Sequence, residues 1–267
     1  MIEVIQQQFR PGMSADDKVN MTREFLQILC LKIMSEQRMF DHCAFLGGTS
    51  LRILFGLRRF SEDLDFSLIE NKGYDFQQIN EQLIKSFRLY GLPMETKVKI
   101  KGNVHSLMMR FTGLLKDLGL SGLAQQKFSI KLEIDANPPA GWRVTNTIVN
   151  KVYVFNIVHY DLPSLYAGKL HACFFRKFTK GRDVYDFVWY LGKKVKPNFT
   201  MLNNAIQQTQ QKDLGINEEN FKKFLLDYVQ RVDFDHVKRD VERFLEDKNE
   251  LNIFDPKVII DTIGSVY

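Results

Sequence analysis

Hydrophobic residues recur every three or four positions from Met21 to Ile33, and this spacing predicts a long helix with one buried stripe. Ser14 and Asp17 stand at the spacing of a capping box, so this helix is expected to begin at Ser14. Shorter helices are predicted over residues 49–55 and 75–90. Apolar or alternating runs predict strands at residues 43–46, 64–69, 97–101, 104–111, 128–135 and 152–158.

From Asp161 onward the pattern predicts helices only. Asp161 and the pair Asp255-Pro256 are helix start signals, and Asp183 is predicted to cap a helix that ends at Gly192. Further helices are predicted over residues 218–230 and 234–246. We therefore predict an α+β fold, with a mixed sheet and its helices in residues 1–158 and a helical bundle in residues 159–267.

The composition excludes several classes of protein. With 45% hydrophobic and 26% charged residues over 267 positions, the chain is globular and long enough for two domains. Its 3 cysteines form no CxxC pair, which argues against a disulfide scaffold or a zinc ribbon. The sequence contains neither a signal peptide nor a bilayer-spanning stretch, so we expect a soluble, cytoplasmic protein without membrane contact. The net charge of +5 permits a polyanionic partner without requiring one.

A pair of carboxylates is the first candidate for chemistry. Asp63 and Asp65 are two positions apart on a predicted strand, so their side chains lie on one face. A hard divalent cation such as Mg²⁺ takes oxygen ligands and would relieve their mutual repulsion. An isolated pair of this kind is more often the polar face of a half-exposed strand, so its meaning depends on its surroundings.

A glycine turn precedes this pair. Residues 45–51 predict a strand, a turn at Gly47 and Gly48, and the start of a helix. Free backbone N–H groups at a helix N-terminus form an anion site when glycine permits close approach. Thr49 and Ser50 would add hydroxyl donors. The turn is therefore a candidate phosphate site just upstream of a candidate metal site.

The predicted strand at residues 128–135 offers a third carboxylate. Its apolar residues alternate with Lys131, Glu133 and Asp135, which share the opposite face. If this strand lies beside the strand of Asp63 and Asp65, Glu133 or Asp135 would complete a three-carboxylate site for two metal ions. The spacing does not decide between the two. We name Glu133 as the candidate metal ligand and keep Asp135 as the alternative.

A further charged group opens the helical half. Lys169 and Arg176 are seven positions apart, and Asp183 and Asp186 three apart, so each pair shares a helical face. A lysine suits contact with a triphosphate, and an arginine suits bidentate contact with phosphate. The alternative is that Asp183 is only an N-cap and the basic residues form a solvated face. Three nearby aromatic residues are expected in the core: Phe174, Phe175 and Phe178.

Three separated segments together resemble one protein family. Residues 47–52, 59–66 and 169–186 are similar, in this order, to the AbiEii/AbiGii toxin family of nucleotidyltransferases. The resemblance covers residues 14–192. It departs from the wider superfamily at one point, because Gly48 is followed by Thr49 where Gly-Ser is usual; the hydroxyl is kept.

The resemblance implies a DNA-polymerase-beta-like nucleotidyltransferase fold with an appended helical domain. It implies that the glycine turn, with Thr49 or Ser50, holds the triphosphate of an NTP. Asp63 and Asp65 would ligate Mg²⁺ or Mn²⁺.

The resemblance also assigns roles in the helical half. Lys169 would contact nucleotide phosphate and Asp183 would be the later catalytic acid. If Lys169 and Arg176 face the nucleotide, the active site is expected between the two domains. On this basis Lys169→Ala is expected to weaken nucleotide binding or turnover and to leave the fold intact.

These features predict transfer of an NMP group from an NTP, with release of pyrophosphate. Family members act as toxins of toxin–antitoxin pairs, some of them on the 3′ end of tRNA, so the resemblance implies an RNA acceptor and an antitoxin protein. Two alternatives remain open: AMP transfer to a protein side chain, and a nucleotide-binding module without turnover, against which the intact Asp63 and Asp65 argue. A metal-dependent hydrolase is disfavoured because the 5 histidines lack ligand spacing.

Basic residues beside these motifs suggest where RNA would bind. Arg52, Arg58 and Arg59 adjoin the first two motifs, and residues 176–182 are rich in lysine and arginine. In the expected fold both groups flank one cleft, which predicts a positive rim for a nucleic-acid acceptor.

Overall fold

The computed structural model describes residues 1–176, 178 and 180–267. These residues form two compact units. The sheet unit comprises Met1–Leu54, Phe60–Pro138 and Thr145–His159, and the helical unit comprises Phe55–Arg59, Pro139–Val144 and Tyr160–Tyr267. The two short segments that belong to the helical unit have no counterpart in the domain division predicted from the sequence.

A mixed sheet dominates the first unit. Its described strands are β1 (Cys43–Leu46), β2 (Leu64–Leu68), β3 (Glu95–Lys101), β4 (Val104–Thr112), β5 (Lys127–Asp135), β6 (Val144–Asn150) and β7 (Val154–Tyr160). They are ordered β3-β4-β5-β2-β1-β7-β6. Strands β1 and β2 are antiparallel, whereas β2 pairs with β5, and β1 with β7, in parallel. The predicted α+β class with a mixed sheet is confirmed.

Two of the described helices of the sheet unit begin where local sequence signals place them. The described helices are α1 (Ile2–Gln6), α2 (Ala15–Glu36), α3 (Gly47–Phe55), α4 (Phe76–Leu89) and α5 (Leu114–Asp117), of which α1 and α5 were not predicted. Ser14 caps α2 in a complete capping box with Asp17, as predicted. The helix predicted over residues 75–90 is α4, and Asp75 is its N-cap. Helix α3 begins at Gly47, two residues before the prediction, because the glycines form its first turn.

Alternation along β2 and β5 separates a core face from a polar face. Leu64, Phe66 and Leu132 are buried in the core of the sheet unit, which also takes in the apolar stripe of α2. Asp65 and Glu133, at intervening positions, are only partly buried. The polar face is where the candidate chemistry lies.

Strand β6 was not predicted. It lies at one edge of the sheet, and within it only Val149 is buried. An edge strand that is solvated along most of its length has no need of the apolar alternation on which the sequence prediction depends. Its pairing is therefore visible only in the tertiary structure.

The helical unit contains α6 (Leu162–Phe175), α7 (Gly181–Lys193), α8 (Phe199–Gln210), α9 (Glu218–Val229), α10 (Phe234–Val241) and α11 (Pro256–Val266). Helix α8 was not predicted. Stacked aromatic rings fill the interior, with centroids 3.8 Å apart for Phe174 and Tyr228 and 4.1 Å apart for Tyr166 and Tyr190. The core placement predicted for Phe178 is wrong, since its side chain is exposed.

The cysteines and the length of the apolar helices can be compared with what the composition predicted. Cys30, Cys43 and Cys173 are all buried and free, so no disulfide joins them. In the described part of the chain, no helix combines the length and the apolar character needed to cross a bilayer.

Candidate functional site

Strand pairing brings the glycine turn against the carboxylate pair. In the antiparallel register of β1 and β2, Leu46 lies opposite Asp65, and the chain then turns at Gly47, whose φ is 81°. A Cβ atom on Gly47 would overlap the carboxylate of Asp65. The backbone of the turn can approach Asp65 this closely because residue 47 is a glycine and has no side chain.

The two hydroxyls predicted to bind phosphate have structural partners. The hydroxyl of Thr49 donates to the main-chain oxygen of Asp63, and that of Ser50 donates to the main-chain oxygen of Gly47 at 2.8 Å. Both side chains are fully buried. Thr49 fastens the first turn of α3 to the residue before β2, and Ser50 closes that turn on itself. Within this site the groups suited to phosphate are therefore the backbone N–H groups of the turn.

Replacement of Gly47 by alanine should damage both the fold and the site. A residue other than glycine in the left-handed conformation costs about 1–2 kcal/mol. We expect Gly47→Ala to lower the free energy of unfolding by more than this, because the new Cβ also displaces Asp65. A displacement of about 1 Å would lower turnover on the order of 100-fold. Urea unfolding and a transfer assay measure the two effects.

Gly91→Ala is the matched control for this prediction. Gly91 also lies in the sheet unit, has a φ of 70°, and a Cβ there would meet no atom within 4 Å. It should show the backbone cost alone, with turnover unchanged. Equal losses in the two variants would mean that the contact between Gly47 and Asp65 has no special importance.

The sheet register shows which of the two candidates for a third carboxylate lies beside Asp65. Strand β5 lies beside β2, as the three-carboxylate hypothesis required, and Asp65 is in register with Glu133, whereas Asp135 is in register with Ser67. Glu133 is therefore the neighbour of Asp65. Its carboxylate accepts a hydrogen bond from Ser106 at 2.8 Å and pairs with Lys131 at 2.7 Å.

The candidate residues of the helical unit form an ion-pair cluster that is mostly buried, with Arg176 exposed. Arg59 makes a bidentate pair with Asp186, with N···O distances of 2.7 Å from Nε and 2.6 Å from the second nitrogen. Lys169 lies 2.7 Å from Asp186 and 3.5 Å from Asp183, and Arg176 lies 2.5 Å from Asp183. Two carboxylates thus share three cations. We call these five residues the ion-pair cluster.

Burial and charge act in opposite directions in the ion-pair cluster. Burial by itself would raise the pKa of Asp186, but the nearby charges of Arg59 and Lys169 outweigh it and hold that pKa below its ordinary value. Burial would likewise lower the pKa of Lys169, yet Asp186 and Asp183 raise it overall. The shifts in pKa of Asp186 and Lys169 therefore both favour the charged forms of these side chains.

The predicted N-cap role of Asp183 is wrong. Helix α7 begins at Gly181, with Asp183 inside its first turn, and the carboxylate of Asp183 is taken by Arg176 and Lys169. The start of the helix is instead capped from α10, where Asp240 accepts the Gly181 N–H at 2.7 Å. Charge pairing inside the unit outcompetes a local backbone cap here.

The ion-pair cluster also changes the expectation for Lys169. Lys169→Ala would remove one of the two cations beside the buried carboxylate of Asp186, so the variant should lose stability rather than leave the fold intact. Its contact with nucleotide phosphate remains a prediction.

The arginines named for the predicted positive rim have different environments among the described residues, and the rim itself stays a prediction. Arg52 is buried against Glu24, and Arg59 is buried in the ion-pair cluster. Arg58 pairs with Glu250 at 3.3 Å, and the guanidinium of Arg182 lies 4.3 Å from the ring centre of Phe244. Two further residues of the predicted rim segment, Lys177 and Thr179, lie outside the described residues. Arg52 and Arg59 therefore serve the structure, because a buried charge needs a charged partner.

A protein family matches most of the chain. The family described as nucleotidyl transferase AbiEii toxin, of type IV toxin–antitoxin (TA) systems, matches residues 29–257. The chain belongs to the AbiEii family. The match extends past residue 192, where the predicted resemblance ended, and takes in most of the helical unit.

Solved structures share the fold of this AbiEii protein. JHP933 from Helicobacter pylori is 18% identical, with a TM-score of 0.54 and coverage of 92% of this chain and 91% of that one. A second H. pylori protein, solved as a candidate nucleotidyltransferase, is 18% identical, with a TM-score of 0.50 and coverage of 92% and 96%. No curated protein matches the chain. The structural likeness supports the nucleotidyltransferase type of fold for this AbiEii protein.

Proposed function

We propose that this AbiEii protein transfers an NMP group from an NTP to an acceptor hydroxyl. The bond between the α-phosphorus and the bridging oxygen breaks, a bond to the acceptor oxygen forms, and pyrophosphate and the hydroxyl proton are released. The observation that carries the proposal is the close approach of Gly47 to Asp65. It supports a turn that would bind phosphate next to a carboxylate that would bind a metal ion.

The donor set suits a divalent cation such as Mg²⁺ or Mn²⁺. Mg²⁺ is usually held by one or two carboxylates together with substrate phosphates and water, which matches Asp63 and Asp65 beside the turn. The described residues contain no group of three or more acidic, His or Cys side chains arranged to hold a metal, so Glu133 is not gathered with the pair. When bound, the cation would neutralise phosphate charge and align the acceptor oxygen with the α-phosphorus.

The protein itself supplies position and dipoles. The first turn of α3 directs backbone N–H groups toward the phosphates, and Thr49 holds that turn in register with Asp63. Because Gly48 and Thr49 are buried, the turn is rigid before substrate arrives. Such preorganisation accelerates phosphoryl transfer with little covalent chemistry from side chains. Lys169, Arg176 and Asp183 are proposed to serve the nucleotide, as the family resemblance implies for Lys169 and Asp183.

We propose RNA, and specifically the 3′ end of tRNA, as the acceptor. Membership of a toxin–antitoxin family supports a macromolecular target and a cognate antitoxin. A terminal ribose offers the free hydroxyl that the reaction needs.

A labelling experiment tests the reaction and the acceptor together. The purified protein is incubated with each α-³²P-labelled NTP, Mg²⁺ and either total tRNA or cell lysate. We expect ribonuclease-sensitive label on tRNA from α-labelled NTP, none from γ-labelled NTP, and none on tRNA whose 3′-terminal diol has been oxidised with periodate. Chelation by EDTA should stop the reaction.

Each contrary result removes a defined part of the proposal. Label that is sensitive only to protease would replace RNA by a protein side chain as the acceptor. Absence of label on every macromolecule, with nucleotide still bound, would identify a binding module without turnover. Undiminished NMP transfer in the presence of EDTA would show that the reaction needs no divalent cation.

A further inference from the structure

A basic pocket lies on the polar face of the sheet, at the end formed by β3, β4 and β5. It has a volume of about 820 Å³ and is lined by Lys97, Lys99, Lys101, Gly102, Val104, Ser106, Met108, Arg110, Lys131 and Glu133. Cations outnumber carboxylates strongly in this lining. All of these residues belong to the sheet unit.

The pocket is continuous with the face that carries Asp65. The register aligns Lys99 with Ser106, Ser106 with Glu133, and Glu133 with Asp65, so one row crosses four strands. Residues paired in this way project from the same face, and the hydrogen bond from Ser106 to Glu133 agrees with that. The row leads from the edge of the sheet to the proposed reaction centre.

The lysines of β3 differ from the arginines of the predicted rim. Lys97, Lys99 and Lys101 are exposed, and among the described residues none of them forms an ion pair. Because they alternate along an edge strand, they project at intervals of about 6.6 Å, comparable with the separation of neighbouring phosphates in an extended strand of nucleic acid.

The position of these lysines favours a polymer over a free nucleotide. Strand β3 is three strands away from β2. At the usual strand spacing this places the lysine row about 14 Å from Asp65, farther than a triphosphate held at Asp65 would reach.

We propose that the polar face of β3–β5 binds the sugar–phosphate backbone of the acceptor RNA and leads its 3′ end toward Asp65. This inference rests on the proposed function, since it assigns the path of the acceptor in that reaction. The described lining contains no aromatic residue, so recognition comes from phosphate contacts rather than from base stacking and tolerates different sequences.

The test compares two triple variants. Lys97→Gln/Lys99→Gln/Lys101→Gln removes the lysine row, whereas Lys72→Gln/Lys85→Gln/Lys116→Gln removes three exposed lysines elsewhere in the sheet unit. Binding of a single-stranded RNA and of tRNA is measured by fluorescence anisotropy across a salt series, without NTP. Binding of each NTP with Mg²⁺ is measured by calorimetry.

We expect the first variant to bind RNA about tenfold more weakly at low salt, with a shallower dependence on salt. Loss of three phosphate contacts should reduce the slope of log K against log salt by about 2. NTP binding should be unchanged, and the control variant should behave like the wild type in every measurement.

The outcomes separate this inference from the proposed reaction. Wild-type RNA affinity and slope in the first variant would overturn the RNA path, even if NMP transfer to RNA is observed. A loss of NTP binding with unchanged RNA binding would overturn it as well, because the lysines would then serve the nucleotide. Lysine-dependent RNA binding without NMP transfer would support the path and refute the reaction.

Discussion

Asp63→Asn and Asp65→Asn should each lower NMP transfer by about three orders of magnitude or more. Each variant replaces a charged oxygen ligand of the proposed cation. A bound metal ion stabilises the transition state by several kcal/mol, and about 1.4 kcal/mol corresponds to a tenfold change in rate. Both side chains are only partly buried, so the free energy of unfolding should change by less than about 1 kcal/mol.

The measurement pairs a transfer assay with urea unfolding of the same preparations. Asp117→Asn is the matched control, since Asp117 is an exposed carboxylate in the same unit. Isothermal calorimetry with NTP should show that Mg²⁺ no longer strengthens binding in the two site variants. Full activity in both of them would end the metal-site proposal, whereas a collapse of stability would assign the pair a structural role.

Asp186→Ala should have the largest effect on stability. Asp186 is fully buried and partners both Arg59 and Lys169, so its removal leaves two cations with little access to water. Breaking a buried pair in this way costs about 3–5 kcal/mol. Arg59→Lys should give a smaller loss, because the charge remains but the bidentate geometry does not.

Urea unfolding followed by tryptophan fluorescence measures this effect directly. Trp142 and Trp189 both belong to the helical unit, so the signal reports the unit that contains the ion-pair cluster. Asp227→Ala, at an exposed position of α9, is the control. A loss below about 1 kcal/mol for Asp186→Ala would contradict the structural role of the ion-pair cluster.

The same variant carries a pH signature. Because the pKa of Asp186 is held below its ordinary value of 3.8, its contribution to stability is present above that value and is lost as pH falls through the lower, folded pKa. The difference in unfolding free energy between wild type and Asp186→Ala should therefore shrink as pH falls below 3.8. A constant difference would mean that the interaction does not depend on the charge of Asp186.

Local signals in the sequence were sufficient for most elements. The capping box at Ser14 depends on residues a few positions apart, and the structure places it where it was predicted. The strands predicted at residues 97–101 and 104–111 are likewise present and pair with each other. The shared face of β5 followed from alternation, because in a strand the side-chain direction is set by the backbone itself. The sequence also carried the three segments that identify the AbiEii family.

Some features of the candidate site depended on partners far apart in the chain. The preference for Glu133 over Asp135 depends on the register of β2 with β5, and register is determined by burial of the whole sheet face. The lysines of β3 were visible in the sequence as alternating charges on a predicted strand. Only the strand order joins them to the face of Asp65.

The arginines show the clearest division between sequence and structure. Composition and spacing identified Arg52 and Arg59 as positive residues near the motifs, which is all that local chemistry can establish. Whether such a residue binds a ligand or a buried carboxylate depends on desolvation, and burial is a property of the folded chain alone. Arg59 meets Asp186 across 127 positions of sequence, and that pairing was decided by the tertiary structure.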